Sequence, residues 1–261
     1  MPYRKRIKAN IKREYEPMTP SIITRDRALA ERRFFTGMAF AILTTVVIGF
    51  SRSFFLRPFF PEWPSPSENI FYVHGVLFSA WIALFAFQAS LVAGGHTELH
   101  RKIGPFSALL AFSMVIVGTF GALIAAGRTT GFVGVPIPPL QFLAIPIFDM
   151  ILFSAFVSLG IANRRNSQSH KRWMLLATLN LVTAAIARWP GVAALGPLAF
   201  FGLTDLFVIA LVVWDISTRR RLHPATMWGG FLIIVSQPLR LAISGTQVWL
   251  AFAHWATGLL S

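Results

Sequence analysis

The feature that most constrains this chain is a series of apolar segments, each about as long as a bilayer is thick. A hydrocarbon core of ~30 Å is spanned by about 20 helical residues, and apolar runs of about that length recur along the chain with short polar gaps. Because backbone polar groups inside a bilayer must be satisfied internally, each run predicts a transmembrane helix. The seven predicted helices cover residues 34–50, 70–93, 104–126, 140–162, 173–188, 197–216 and 226–250. We therefore expect an all-α, polytopic transmembrane bundle of seven helices.

The composition excludes a soluble domain of this size. Charged residues make up 13% of the 261 positions and hydrophobic residues 55%, with a mean hydropathy of +0.61. A soluble domain carries about 25% charged residues. The chain has no cysteine, which excludes disulfides, thiolate metal ligands and iron–sulfur clusters.

Basic residues are distributed unevenly between the predicted loops. If residues 1–33, with ten Lys or Arg, are cytoplasmic, the cytoplasmic segments together hold 19 Lys or Arg against 3 in the outer loops. The positive-inside rule then places the amino terminus inside and the carboxyl terminus outside. The sequence predicts a basic cytoplasmic tail, 1–33, and a seven-helix transmembrane domain, 34–261. We expect the tail to contact anionic lipid rather than nucleic acid.

Ionisable residues inside a membrane are costly and mark functional or structural sites. Five such residues, His74, Asp149, Arg188, Asp205 and Arg240, are predicted in the outer half of the bilayer, and we expect the two Asp and two Arg among these five to converge. In the inner half, we expect no charge deeper than the interface. Two interpretations stay open: a structural clamp between helices, or a polar pocket that a small polar or amphipathic ligand enters from the outer face. The predicted ligand-contacting residues are His74, Trp81, Asp149, Arg188, Asp205, Gln237 and Arg240.

A second group of histidines lies at the predicted cytoplasmic edge. His96 and His100 precede the third predicted helix and His170 precedes the fifth. Histidine beside Lys and Arg at an interface is typical of contacts with lipid headgroups. The alternative is that His100 and His170 meet around a haem or metal, although the sequence predicts no specific metal-ligand cluster.

Several motifs within residues 70–255 suggest a family. They are the stretch from His74 to Gly104, Trp214-Asp215, His223-Pro224-Ala225, Trp228-Gly229-Gly230 and Gln237-Pro238-Leu239-Arg240. Through them the chain resembles a widespread group of uncharacterised bacterial multi-spanning inner-membrane proteins, which implies a location but no activity. More distantly it resembles the haem-b membrane cytochromes. That resemblance implies at most one haem b, between His100 and His170, because Gln88 stands where a second histidine of the same helix would be.

Three classes of function are compatible with these patterns. The first is binding or transport of a small ligand from the outer face, the second is a membrane assembly or scaffold protein with purely structural charges, and the third is a haem-b-binding redox protein. The sequence contains no phosphate cradle and no nucleophile elbow. It therefore identifies no catalytic residue and favours a protein that is not an enzyme.

Overall fold

The computed structural model describes residues 20–62, 68–132, 135 and 137–260, and these residues form helices and no strand. Residues 1–19 of the predicted tail, and Trp63, Pro64, Pro66 and Pro136 of the predicted outer loops, lie outside the described part. The helices are α1 (Pro20–Phe50), α2 (Asn69–Ala93), α3 (Thr97–Gly127), α4 (Pro139–Phe142), α5 (Ala144–Ala162), α6 (Ser167–Asn180), α7 (Thr183–Ile186), α8 (Pro197–Arg219), α9 (Pro224–Ser244) and α10 (Gln247–Gly258).

Six of the described segments are long and apolar enough to cross a membrane. They are Asp26–Phe55, Asn69–Ala93, Thr97–Gly127, Pro139–Ala162, Pro197–Arg219 and Pro224–Ser244. Their outer faces carry large exposed apolar side chains, among them Val76, Phe106, Phe112, Leu198 and Phe231. Side chains of this kind are stable in lipid, so the chain is a multi-pass membrane protein.

Two of the predicted helices are interrupted in the structure. The predicted helix over 173–188 is broken after Asn180 and continues as the four-residue α7. The predicted helix over 226–250 ends at Ser244, and Thr246 starts α10 by accepting the Trp249 N–H at its Oγ1, 3.3 Å away. The first helix also begins at Pro20 rather than at residue 34.

The α6–α7 segment forms the centre of the bundle. Between Leu175 and Ile186 most of its residues are buried, among them Leu175, Leu176, Leu179, Val182, Ala185 and Ile186. A stretch buried in this way is enclosed by other elements. The segment contacts α1, α5, α8 and α9, so these four helices enclose it.

The α6–α7 segment runs in the same direction as α1. At the end of the bundle where α1 carries Glu31, the Lys171 Nζ lies 2.6 Å from the Glu31 carboxylate. At the other end, the Trp189 Nε1 donates to the Thr45 carbonyl at 3.3 Å. A Cβ at Gly49 would overlap the Ala185 carbonyl, so glycine is what allows the two backbones to approach. We name these two ends of the bundle the Glu31 end and the Phe50 end.

The remaining long helices alternate in direction around this pair. Thr36 of α1 donates to the Ala89 carbonyl near the end of α2, so α1 and α2 are antiparallel. Near the turn between α2 and α3, the Gln88 Nε2 donates to the Ser107 hydroxyl of α3. From there α3 runs toward the Phe50 end, antiparallel to α2. The α8 helix ends with Arg219 beside Gln168, at the Glu31 end, where α9 begins. The Trp249 Nε1 of α10 donates to the Leu140 carbonyl at the Phe50 end.

Candidate functional site

Arg240 and Asp149 form a buried ion pair between α9 and α5. The Arg240 Nη1 donates to the Asp149 Oδ1 at 2.6 Å, and the two side chains are 2% and 12% exposed. The same guanidinium donates to the Ser236 hydroxyl and carbonyl, at 2.8 and 3.2 Å. The rings of Phe148 and Phe201 flank it, each with its centroid 5.8 Å away. The guanidinium is thus held by its own helix, by Asp149 and by two aromatic rings.

Asp205 and Gln237 form a separate hydrogen-bonded pair next to this ion pair. The Gln237 Nε2 donates to the Asp205 Oδ1 at 2.8 Å, and Gln237 lies one helical turn before Arg240 on α9. Asp205 is half-buried and, among the described residues, forms no ion pair with a cation. We call the group formed by Asp149, Asp205, Ser236, Gln237 and Arg240 the α9 cluster.

Arg188 and His74 lie apart from the α9 cluster, at the Phe50 end. The Arg188 Nη1 donates to the Ala184 carbonyl at 2.6 Å, and its guanidinium lies 4.6 Å from the Phe50 ring centroid. His74 stacks on Phe78 with ring centroids 3.9 Å apart and lies within electrostatic range of Arg188. Arg188 is exposed, and no carboxylate of the described residues pairs with it. We call Phe50, His74 and Arg188 the Arg188 site.

Trp81 belongs to neither group. It is buried between α2 and α6, where its Nε1 donates to the Thr178 hydroxyl at 3.3 Å. Its ring meets the edge of Phe153 at 5.1 Å between centroids. Of the predicted ligand-contacting residues, the structure therefore joins four in the α9 cluster and two at the Arg188 site, and places Trp81 in the apolar core.

A second buried ion pair, which the sequence analysis did not predict, lies outside the α9 cluster. Arg172 of α6 and Asp215 of α8 form an ion pair at the Glu31 end in which both side chains are fully buried. Asp215 also accepts from the His223 N–H at 3.1 Å and from the Thr226 hydroxyl at 2.6 Å. We call these four residues the Asp215 cluster. Arg172 was expected in a loop, but α6 begins at Ser167 and carries it on its second turn.

A signal for this cluster was present in the sequence. Asp215 follows Trp214 inside the last turns of an apolar run, where an acid needs a partner. Gln168 lies one turn before Arg172 and accepts from both Arg172 and Arg219, at 2.8 and 3.2 Å. Its own amide donates to Glu31 of α1 at 3.1 Å. The network thus ties α1, α6, α8 and α9 together at one end of the bundle.

His223 caps α9 as a neutral imidazole. Its Nδ1 accepts the Ala225 N–H at 3.1 Å, which satisfies one of the free donors at the helix start. Burial, reinforced by the cations Arg172 and Arg219, lowers the pKa of His223 from 6.5 to about 4. A protonated Nδ1 could not accept this bond, so the lowered pKa keeps the cap intact at lower pH than an ordinary histidine would.

His100 and His170 meet at the Glu31 end, between α3 and α6. Their ring centroids are 6.1 Å apart and the ring planes cross at 81°. The His170 Nδ1 bonds to the Gly160 carbonyl at 2.8 Å. His96 is exposed at the start of α3 and takes no part in the pair. Within the described ranges, no group of three or more His, Asp or Glu is placed to hold a metal ion.

Two open cavities lie at the Glu31 end of the bundle. One, of about 640 Å³, lies between α1 and α8 and is lined by Arg33, Phe34 and Trp214. The other, of about 370 Å³, is lined by His96, Glu98 and Lys102 near the turn between α2 and α3. Neither includes a residue of the α9 cluster, whose polar groups are occupied with one another.

A comparison of the chain with protein-family models, curated proteins and solved structures gave no match. Function therefore has to follow from the contacts of the chain itself. Those contacts separate the arginines by their partners. Arg172 and Arg240 are each paired with a carboxylate, whereas the partners of Arg188 among the described residues are a carbonyl and an aromatic ring.

Proposed function

We propose that this chain is a bacterial inner-membrane protein that crosses the bilayer seven times, with its amino terminus in the cytoplasm and its carboxyl terminus in the periplasm. The observation that supports a seventh crossing is the parallel course of α1 and the α6–α7 segment. The helical residues of α6 and α7, at 1.5 Å each, extend over about 27 Å, close to the ~30 Å thickness of a hydrocarbon core. The uneven distribution of Lys and Arg supports the orientation, and the motif resemblance supports the bacterial inner membrane.

Reporter fusions on either side of the α6–α7 segment test the seventh crossing. Alkaline phosphatase fused after Asn166 should be inactive and after Gly196 active, because the α6–α7 segment between them would carry the reporter outside. Fusion after Ser261 should give active phosphatase and a dark green fluorescent protein. Equal phosphatase activity after Asn166 and Gly196 would contradict the seventh crossing.

We further propose that the protein binds a small anionic or amphipathic ligand at the Arg188 site, reached from the Phe50 end. The single observation that carries this proposal is that Arg188 is exposed and unpaired with any carboxylate of the described residues. A guanidinium presents a fork of donors that matches carboxylate and phosphate oxygens. His74 adds a second polar group, and Phe50 and Phe78 offer apolar surface for the rest of an amphipathic ligand. In this proposal the α9 cluster holds helices α5, α8 and α9 in place.

A pair of single-chain lipids distinguishes specific binding from general insertion. Lysophosphatidic acid, with a phosphate monoester, should raise the melting temperature of the detergent-solubilised protein, and lysophosphatidylcholine should not. Arg188→Gln should abolish the shift, while the exposed loop residue Arg164 serves as the control, since Arg164→Gln should keep it. The binding proposal is wrong if Arg188→Gln responds like the wild type.

The second candidate function is a membrane scaffold. It is favoured by the ion pairs that both buried arginines, Arg172 and Arg240, form with carboxylates. Such pairs can serve only to hold helices together. A wild-type protein with no thermal response to either lysolipid would support this candidate over ligand binding.

A further inference from the structure

We propose that His100 and His170 bind a transition-metal ion at the Glu31 end of the bundle. This site lies at the opposite end from the Arg188 site and is independent of the ligand proposed there. The two histidines come from different helices, α3 and α6, and are separated by 70 positions in the chain. Three observations carry the proposal: the spacing of the rings, the hydrogen bond behind His170, and two buried polar atoms without partners.

The spacing of the two rings fits an ion held between them. A metal lies 2.0–2.1 Å from an imidazole nitrogen, and that nitrogen is about 1.1 Å from the centre of its ring. Two imidazoles on opposite sides of one ion therefore have centroids about 6.2 Å apart, and the rings of His100 and His170 are 6.1 Å apart. Crossed ring planes are compatible with this arrangement, because rotation about the metal–nitrogen axis leaves both bonds intact.

The contact behind His170 sets the chemistry of its other nitrogen. A carbonyl oxygen can only accept, so the Nδ1 at 2.8 Å from the Gly160 carbonyl carries the proton. In the neutral imidazole the lone pair then lies on Nε2, the atom free to bind a metal. Metal-binding histidines regularly donate their second N–H to a backbone carbonyl in this way, which fixes the ring and increases its basicity.

Two buried polar atoms beside the pair have no hydrogen-bond partner in the described part of the chain. They are the Nδ1 of His100 and the Oε1 of Gln88. Gln88 is next to His100, because its Nε2 lies 3.4 Å from the His100 carbonyl. Buried polar groups of native proteins are nearly always paired. A metal ion satisfies the His100 nitrogen directly, and the Gln88 oxygen is available as a further ligand.

The surrounding charge selects the kind of ion. His100 lies within electrostatic range of Arg101, and His170 is followed by Lys171 and Arg172. These cations oppose a bare divalent ion. They are compatible with a cuprous ion, which carries one charge and for which imidazole is a suitable ligand.

The experiment measures copper binding by the intact protein in detergent, by titrating Cu(I) against bicinchoninate. Wild-type protein should hold one equivalent of Cu(I). His100→Ala and His170→Ala should each weaken binding by at least tenfold, and Gln88→Leu by a smaller factor. The matched control is His96→Ala, four residues from His100 and exposed, which should bind as the wild type does.

Loss of folding is separated from loss of a ligand by His100→Gln and His170→Gln, which keep side-chain bulk, with helix content and gel filtration measured on every variant. Loss of Cu(I) binding in folded His100 and His170 variants supports the site. The proposal is overturned if wild-type protein does not bind one equivalent of Cu(I). It is equally overturned if the His100 and His170 variants bind as His96→Ala does.

Discussion

The carboxylates of Asp215 and Asp149 are each paired with an arginine, but their surroundings differ. Asp215 receives hydrogen bonds from Arg172, from the His223 N–H and from the Thr226 hydroxyl. The Asp149 carboxylate receives one, from Arg240. A buried charge is tolerated when protein donors replace its hydration. The Asp215 carboxylate therefore has several protein donors in place of its hydration water, whereas the Asp149 carboxylate has one such donor among the described residues.

The difference also separates structural from accessible polar groups. The Asp215 cluster and its neighbours connect four helices at the Glu31 end, and the α9 cluster connects three helices further along. Toward the Phe50 end, charged side chains have fewer oppositely charged partners. Asp205 accepts from an amide, and Arg188 contacts a carbonyl and an aromatic ring. Mutations should therefore affect stability most at Asp215 and least at Asp205.

The largest effect is expected for Asp215→Ala. The change leaves the fully buried Arg172 without a counter-charge and removes the acceptor of three donors, which should lower the free energy of unfolding by about 4 kcal/mol. Unfolding in mixtures of mild detergent and sodium dodecyl sulfate, followed by helix content, measures it. Asp26→Ala, at an exposed position of α1, is the control and should change stability by less than about 0.5 kcal/mol. Equal stability of the two variants would show that Asp215 does not stabilise the fold.

A smaller effect is expected at the Arg240–Asp149 pair. Asp149→Leu or Arg240→Met alone leaves one buried charge without its partner and should lower the free energy of unfolding by about 3 kcal/mol. The double variant removes both charges and should be more stable than either single variant. The same unfolding assay, applied to all four proteins of the cycle, gives the interaction energy. Additive single effects would mean that the two side chains do not depend on each other.

Acid should weaken the Asp215 cluster selectively through His223. Because its folded pKa is about 4 against an ordinary 6.5, the unfolded chain binds a proton in this interval that the folded chain does not. Stability is therefore complete above about pH 6.5 and decreases as the pH falls toward 4. Protonation removes the acceptor that caps α9, a loss of about 1 kcal/mol.

A variant that keeps the cap without the titration tests this assignment. Asn is a good N-cap residue, so His223→Asn should keep the stability measured at pH 7 and lose the decrease between pH 6.5 and 4. His254→Asn, at an exposed position of α10, should keep the wild-type pH dependence. An unchanged pH profile in His223→Asn would assign the acid sensitivity to another group.

Hydropathy predicted the long helices because a segment that lies in lipid must consist mainly of apolar residues. The prediction of 70–93 for the second helix differs from α2, Asn69–Ala93, by one residue. For α3 the prediction began at 104 while the helix begins at Thr97, because a polar segment in solvent can continue a helix without changing hydropathy. The same reason explains why α1 begins at Pro20.

Pairing between distant residues could not be read in the same way. Arg172 looks like a loop residue until Asp215, 43 positions later, is known to lie beside it. The four intramembrane charges were expected to converge because their depths were similar. Depth does not specify the direction around the bundle: Arg188 contacts Phe50 of α1, whereas Arg240 contacts Asp149 of α5. His100 and His170 come together only through the α2–α3 turn and the packing of α6 on α5.

The smallest effect is expected for Asp205→Asn. The Gln237 Nε2 donates to the Asp205 Oδ1, and asparagine retains an oxygen in that position. The substitution also removes a half-buried charge that has no cation partner among the described residues, so stability should stay the same or rise by up to about 1 kcal/mol. Asp205→Leu is the informative companion, because it leaves the buried Gln237 amide without an acceptor and should cost about 1–3 kcal/mol. If Asp205→Asn instead destabilises the protein as much as Asp149→Leu, the carboxylate of Asp205 acts on Arg240. The α9 cluster would then be a closed network of three charges, as tightly compensated as the one around Asp215.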